Sequence, residues 1–381
     1  MARHRRFVIA LAATVIAAVS LALPTRLPPA AQDRTAVSAP PDFSALAKPL
    51  LPAVVNISSS ILAPGPSVAM PGNLPPQLEE FFRHFFGPEG MVPDAERPRG
   101  TALGSGFIID PAGFVVTNNH VVENAETISV VLHDESEYQA ELVGRDPRTD
   151  LALLKIDAGR TLPFVRWGDS GLVEVGQWVL AVGNPFGLGG SVTAGIVSAL
   201  ARSIGAGPYD DFLQTDASIN QGNSGGPMFN MRGEVIGINT AIFSPTGVNI
   251  GIGFAIPSSL ARPVIDQLRT TGEVRRGWLG VTVQPVTPEI AETLGLDKPE
   301  GVLVAEVTRG GPAARAGIQV GDVLLSYEGA PIGERNRLPL LVARSEIGST
   351  VAIQVWRDGK QQPIKVRIGN LSEAPAPRAQ R

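Results

Sequence analysis

From Phe43 to Pro257 the chain runs as short apolar segments rich in Val and Ile, each closed by Gly, Pro, Asn or Asp. "GSGFIIDPAGFVVTNNHVV" is typical: two apolar runs joined by Asp110-Pro111-Ala112-Gly113, a hairpin signal. "GQWVLAVGNPFG", "SVTAGIVSAL", "EVIGINTAIF" and "IGFAIP" continue the pattern, without the strand–helix alternation that a parallel α/β sheet requires. Antiparallel, all-β structure is predicted, and 42 Gly and 33 Pro against 6% aromatic residues fit many short strands and tight turns. The first segment with a helical period is "SSLARPVIDQLRTT", residues 258–271, with serines at its start and Gly272 past its end.

A chain of 381 residues exceeds what one hydrophobic core organises, so two folded domains and tails are expected. The start, "MARHRRFVIALAATVIAAVSLALPTRLPPAAQD", sets a basic cluster before an apolar run from Phe7 to Leu23. Residues 1–31 read as an export signal, cleaved or retained as an inner-membrane anchor, which puts the rest of the chain in a bacterial periplasm. The absence of cysteine removes disulfides, thiol nucleophiles and zinc-thiolate sites, so any nucleophile is an oxygen. Charged residues at 18% and a net charge of −4 carry no nucleic-acid footprint.

Chemistry is signalled by "INQGNSGGP", residues 219–227, which sets Ser224 in a tight turn among glycines where no neighbouring side chain blocks a carbonyl. The same letters satisfy the G-x-S-x-G elbow of α/β-hydrolases. Chain order excludes that reading, because its histidine follows the serine and here His4, His84, His120 and His133 all precede Ser224. The orders His-Asp-Ser, on paired β-barrels, and Asp-His-Ser, on an α/β fold, remain, and the strand-rich body selects the first.

Among the histidines, His4 lies in the export signal and His133 in the polar turn "VLHDESEY". His120, in "FVVTNNHVV", follows a strand and sits among small polar and apolar residues that can hold an imidazole neutral and oriented. The acid that fixes its tautomer is Asp150, which opens the apolar strand "DLALLKI" and so has its backbone tied into a sheet; Asp146, in the preceding turn, is the weaker candidate. Asp110, Asp134, Asp169 and Asp216 read as turn residues bonded to their own backbone.

"TNNHVV", "TDLALLKI", "GNPFGLGGSVTAGIVSALAR", "QTDASINQGNSGGP" and "NIGIGFAIP", in this order, resemble the HtrA (Deg) family of trypsin-like serine proteases from about residue 45 to about residue 370. The resemblance implies an all-β-dominated fold, a chymotrypsin-like double β-barrel over residues 43–272 with a loop insertion at about 63–99. It implies His120 as general base, Asp150 as its orienting acid, Ser224 as nucleophile, and the N–H groups of Gly222 and Ser224, with Asn223 between them, as an oxyanion hole. Neither cofactor nor metal is implied. "NIGIGFAIP" should line an apolar pocket that favours cleavage after Val, Ala or Ile, residues that only unfolded or misfolded chains expose. The loops 200–211 and 243–249 are Gly/Pro-rich; by resemblance the first senses an activating contact and the second shapes the pocket.

Residues 277–370 carry "RRGWLGVTV", "PAARAG", "GDVLLSYEGAPI" and an Asp358-Gly359 hairpin, and resemble a PDZ domain; residues 371–381 form a tail. Trp278, Leu279, Gly280 and Val281 match the loop that receives a peptide's C-terminal carboxylate, and Pro339 in the helix "RLPLLVARSE" is expected to shorten the other wall of that groove. "LEEFFRHFFG", residues 78–87, sets Phe81, Phe82, Phe85 and Phe86 in the insertion, where the family implies a plug or clamp between subunits. The implied assembly is a homotrimer or a multiple of trimers. Three functions fit: a quality-control endopeptidase acting on unfolded envelope proteins, an anchored regulatory protease with few substrates, and a chaperone-like binder.

Overall fold

A strand has two edges to satisfy, and in residues 54–156 six strands do so by closing a ring. They are β1 (Val54–Ile61), β2 (Gly100–Asp110), β3 (Phe114–Thr117), β4 (Ala125–Val131), β5 (Glu137–Asp146) and β6 (Leu151–Ile156), in the order β1-β2-β3-β6-β5-β4. The computed structural model describes residues 42–61, 100–185, 190–220, 222–242, 249–333 and 337–375. His4, the Phe7–Leu23 run, His84 and the four phenylalanines of the insertion lie outside the described residues. The described residues from Ser44 onward hold together as one unit.

The interior of the first barrel takes Val55, Ile57, Ile108, Val115, Val130 and Leu154, all fully buried. Each such side chain contributes roughly 1.5–3 kcal/mol on leaving water. The β2–β3 hairpin forms at the predicted turn: Asp110 accepts from the Ala112 N–H, and Gly113 adopts φ +96°, where a Cβ would strike the Ile156 carbonyl.

The second sheet comprises β7 (Arg166–Trp167), β8 (Trp178–Gly183), β9 (Ser191–Arg202), β10 (Phe212–Thr215), β11 (Pro227–Phe229), β12 (Glu234–Ile242) and β13 (Gly253–Pro257). Its order is β11-β8-β9-β10-β13-β12-β7, and the pairing of β11 with β12 closes a second barrel. A short helix, α1 (Ser44–Leu50), precedes the first barrel, and α2 (Asn119–Val122) is a single turn within it. The predicted helix forms as α3 (Ser258–Thr271) and is ended by Gly272 at φ +73°. It returns to the first barrel, where Arg269 pairs with Asp110 at 2.8 Å and lies 4.3 Å from the centre of the Phe114 ring.

The C-terminal sheet is formed by β15 (Val281–Pro285), β16 (Val302–Val307), β17 (Val323–Tyr327), β19 (Thr350–Arg357) and β20 (Lys360–Arg367), with β18 (Ala330–Pro331) beside β17. The two-residue strands β14 (Gly277–Trp278) and β21 (Gly369–Asn370) pair separately. Asp358 and Gly359, both at positive φ, make the hairpin turn between β19 and β20. Three helices accompany the sheet: α4 (Pro288–Thr293), α5 (Pro312–Ala316) and α6 (Arg337–Arg344). Pro339 is the third residue of α6, where no intrahelical N–H is missed, and Leu338 and Val342 still reach the core.

Candidate active site

At the end of β3 the chain leaves the sheet at Asn118 and turns through α2, which carries His120. Its Nδ1 is 2.8 Å from Oδ2 of Asp150, and its backbone N–H donates to Oδ1 at 3.0 Å. Asp150 does not begin a strand as expected. It is the last residue of the turn before β6, in the left-handed region at φ +55°, so its carbonyl is outside the ladder. Asn118 Nδ2 (2.8 Å) and the Asn119 N–H (3.1 Å) donate to that carbonyl instead. Thr240 completes the set, its hydroxyl donating to Oδ2 of Asp150 at 2.8 Å.

Burial opposes protonation of His120, but the charge and hydrogen bond of Asp150, with Glu123 adding to them, outweigh it and raise the His120 pKa above 6.5. Ser224 reaches the same group of residues through Thr240, whose carbonyl oxygen is 3.4 Å from the Ser224 hydroxyl. Thr240 thus touches both the acid and the serine. It was not anticipated, since a single Thr within the strand "EVIGINTAIF" gives no local signal.

The serine turn is shaped by glycines at positive φ, Gly222 (+93°) and Gly225 (+84°). Within it the N–H of Asn223 donates to Asn220, that of Gly225 to Asn239 and that of Gly226 to Asn223. The N–H groups of Gly222 and Ser224 donate to no group among the described residues. The Asn223 side chain is buried against Gly183.

The other acidic candidates are occupied elsewhere. Asp146 is no exposed turn residue: it ends β5, is buried, and forms a bidentate pair with the equally buried Arg276, whose guanidinium lies 4.8 Å from the centre of the Tyr209 ring. Asp134 and Asp169 accept from N–H groups two residues on, as expected, whereas Asp216 reaches across to the Ile196 N–H on β9. His133 is exposed in a turn.

In the C-terminal domain Leu279 is buried and Gly280 is at φ +82°. Their carbonyls accept from Ala313 and Thr308, while their own N–H groups have no partner among the described residues. Beyond them β15 is an edge strand, paired among the described residues only with β16.

Two antiparallel barrels with a His–Asp pair and a glycine-framed serine, followed by a PDZ-type sheet, define a trypsin-like serine endoprotease. The trypsin-like peptidase domain model matches residues 104–238, and the PDZ domain model residues 277–368. A probable periplasmic serine endoprotease, DegP-like, of Pseudomonas savastanoi pv. phaseolicola is 50% identical over 342 residues, covering 87% of this chain and 71% of that protein. A DegP-like endoprotease of Rhizobium meliloti is 51% identical over 313 residues, covering 79% and 62%. Among solved structures, the HtrA-type protease AlgW with a decapeptide superposes with TM-score 0.70 at 43% identity over 88% of this chain and all of that one. The serine endoprotease from Yersinia pestis does so with TM-score 0.60 at 36% identity over 87% and 99%. The chain belongs to the HtrA/DegP-like family of trypsin-like serine endoproteases.

Proposed function

We propose that this endoprotease acts in the periplasm without ATP, degrading unfolded or misfolded envelope proteins after small or medium apolar residues. The observation that carries the reading is the linked set His120–Asp150–Thr240–Ser224 beside two unspent backbone N–H groups. His120 takes the Ser224 proton as the oxygen attacks the scissile carbonyl, Asp150 holds the proton on Nδ1, and Gly222 and Ser224 donate to the oxyanion. The imidazolium then protonates the leaving amine, and water hydrolyses the acyl-enzyme by the same route.

The apolar "NIGIGFAIP" segment supports the substrate preference, and the periplasmic naming of the relatives supports the location. The N–H groups of Leu279 and Gly280, without a partner among the described residues and beside the β15 edge, support capture of a peptide C-terminus. Assembly as a homotrimer or its multiple belongs to the same proposal. Retention of the Phe7–Leu23 run as an anchor would favour the second reading, a regulatory protease with few substrates; N-terminal sequencing of the mature protein distinguishes the two.

The test is incubation of the mature protein with unfolded casein and with a folded control, as wild type and as Ser224→Ala. Cleavage of casein alone, lost in the variant, is expected. Intact casein with suppressed aggregation would instead identify a chaperone-like binder.

A further inference from the structure

Ser105 lies on β2 of the first barrel, fully buried, yet its N–H and hydroxyl both donate to the serine turn of the second. Its backbone N–H donates to the Ser224 carbonyl at 2.9 Å, and its hydroxyl donates to the Gly222 carbonyl. The same hydroxyl accepts from the Asn184 N–H at 2.7 Å, and the Ser105 carbonyl accepts from the Thr117 hydroxyl at 2.7 Å. Asn184 is itself anchored, since Asn56 Nδ2 donates to its carbonyl at 2.9 Å.

The two residues whose N–H groups are unspent are therefore the two whose carbonyls Ser105 holds. Gly222, at φ +93° and without a side chain, has little of its own to fix its adjoining peptide planes. A hydroxyl that donates to its carbonyl fixes the plane between Gly222 and Asn223, and the second bond fixes the carbonyl side of Ser224. Donors stabilise an oxyanion in proportion to how well they are aimed before the reaction begins.

We propose that Ser105 is a positioning residue for the reaction, holding the Gly222–Ser224 turn so that both N–H groups meet the tetrahedral oxyanion. The inference rests on the assignment of Ser224 as nucleophile and of those two N–H groups as the oxyanion hole.

Ser105→Ala and the volume-conserving Ser105→Cys, whose thiol is a weaker donor, are compared with wild type and Ser224→Ala on a chromogenic peptide ending in Val. Active sites are counted by end-point fluorophosphonate labelling, and a peptidyl boronate of the same sequence reports tetrahedral binding. Losing an oxyanion donor outright costs about 10²–10³ in kcat. A mis-aimed pair is accordingly expected to cost Ser105→Ala about tenfold to a hundredfold in kcat per labelled site, with KM within about twofold, boronate affinity weakened by the same factor, and Ser105→Cys in between.

Ser258→Ala controls for lost buried bonds. Its hydroxyl likewise donates to one carbonyl, that of Gly168 at 2.8 Å, and accepts one N–H, that of Ser170 at 3.0 Å, at the start of α3. It should lose stability and keep its kcat per labelled site. Should Ser105→Ala fail to fold, Ser105→Cys carries the comparison alone. Wild-type kcat and boronate affinity per labelled site in the folded Ser105 variants, or equal losses in Ser258→Ala, would overturn the positioning role. Residual cleavage by Ser224→Ala would instead overturn the nucleophile on which it rests.

Discussion

Asp150→Asn tests the proposed chemistry with almost no change of shape. In the native site Oδ1 accepts the His120 backbone N–H at 3.0 Å, while Oδ2 accepts from His120 Nδ1 and Thr240 Oγ1, both at 2.8 Å. All three partners are donors, and an amide offers one acceptor oxygen and one NH2. If the NH2 faces the His120 backbone N–H, two donors meet in a partly buried site, at a cost of about 1–3 kcal/mol. If it faces Nδ1, the Thr240 hydroxyl can turn to accept, and the conflict is removed by moving the imidazole proton to Nε2. The second arrangement is favoured, and it occupies the nitrogen that must take the Ser224 proton.

The corresponding change in a trypsin-like triad lowers kcat about 10⁴-fold, which is ~5.5 kcal/mol of transition-state stabilisation. The pH profile adds a separate sign. The Asp150 carboxylate overcomes the effect of burial and raises the His120 pKa from its ordinary value, and in the proposed mechanism only neutral His120 acts as base, so the acid limb of wild-type kcat/KM is expected above that of an ordinary imidazole. Without the carboxylate, burial dominates and the limb moves to lower pH. Steady-state hydrolysis of a peptide ester and a peptide amide from about pH 5 to about pH 9 reads both effects. A loss of less than tenfold, or an acid limb that stays in place, would refute this account of the His120–Asp150 pair.

Other perturbations probe the surroundings of the site. Gly225→Ala places a methyl against the Ser105 carbonyl and the Thr117 hydroxyl at φ +84°, so activity is expected to fall more than about a hundredfold together with thermal stability; wild-type kinetics would show that the turn tolerates movement. Arg276→Ala removes both guanidinium bonds from buried Asp146 and leaves Thr149 as its side-chain donor among the described residues, and should cost about 3–5 kcal/mol by denaturant titration, part of it recovered in the double variant with Asp146→Asn. Replacing Phe81, Phe82, Phe85 and Phe86 by serine should raise basal peptidase activity and reduce the assembly seen by light scattering. Unchanged rate and size would remove the plug reading.

Much of this was legible because the information is local. The β2–β3 hairpin, α3 with its Gly272 cap and the Asp358-Gly359 turn are each specified by residues within one turn of where they act. Ser224 and His120 were singled out through residue type, exclusion and chain order, and their catalytic roles remain part of the proposal. Side-chain traffic between distant segments was not: Asp146 is claimed by Arg276, 130 residues away, and Asp216 by a strand twenty residues earlier. Thr240 acts over 90 residues, and nothing in its neighbours marks it apart from other strand threonines.

Asp150 breaks a local rule for a chemical reason. An Asp at φ +55° is less favourable than Gly, and the left-handed conformation costs about 1–2 kcal/mol. Glycine brings no carboxylate, and asparagine brings a donor where His120 already donates. The strain is offset by two hydrogen bonds to its carbonyl and three to its carboxylate, the latter charge-assisted and contributing roughly 1.5–3 kcal/mol each. None of the five donors is nearer than 30 residues in sequence. The turn before β6 is closed locally by the Thr149 hydroxyl donating to Asp146, but the partners of Asp150 are all distant; closure of the first barrel brings α2 to it, and the second barrel supplies Thr240. The orientation of His120 is thus set by the packing of both barrels, so, if His120 is the base as proposed, a substitution that loosens their contact should reduce catalysis before it unfolds either barrel.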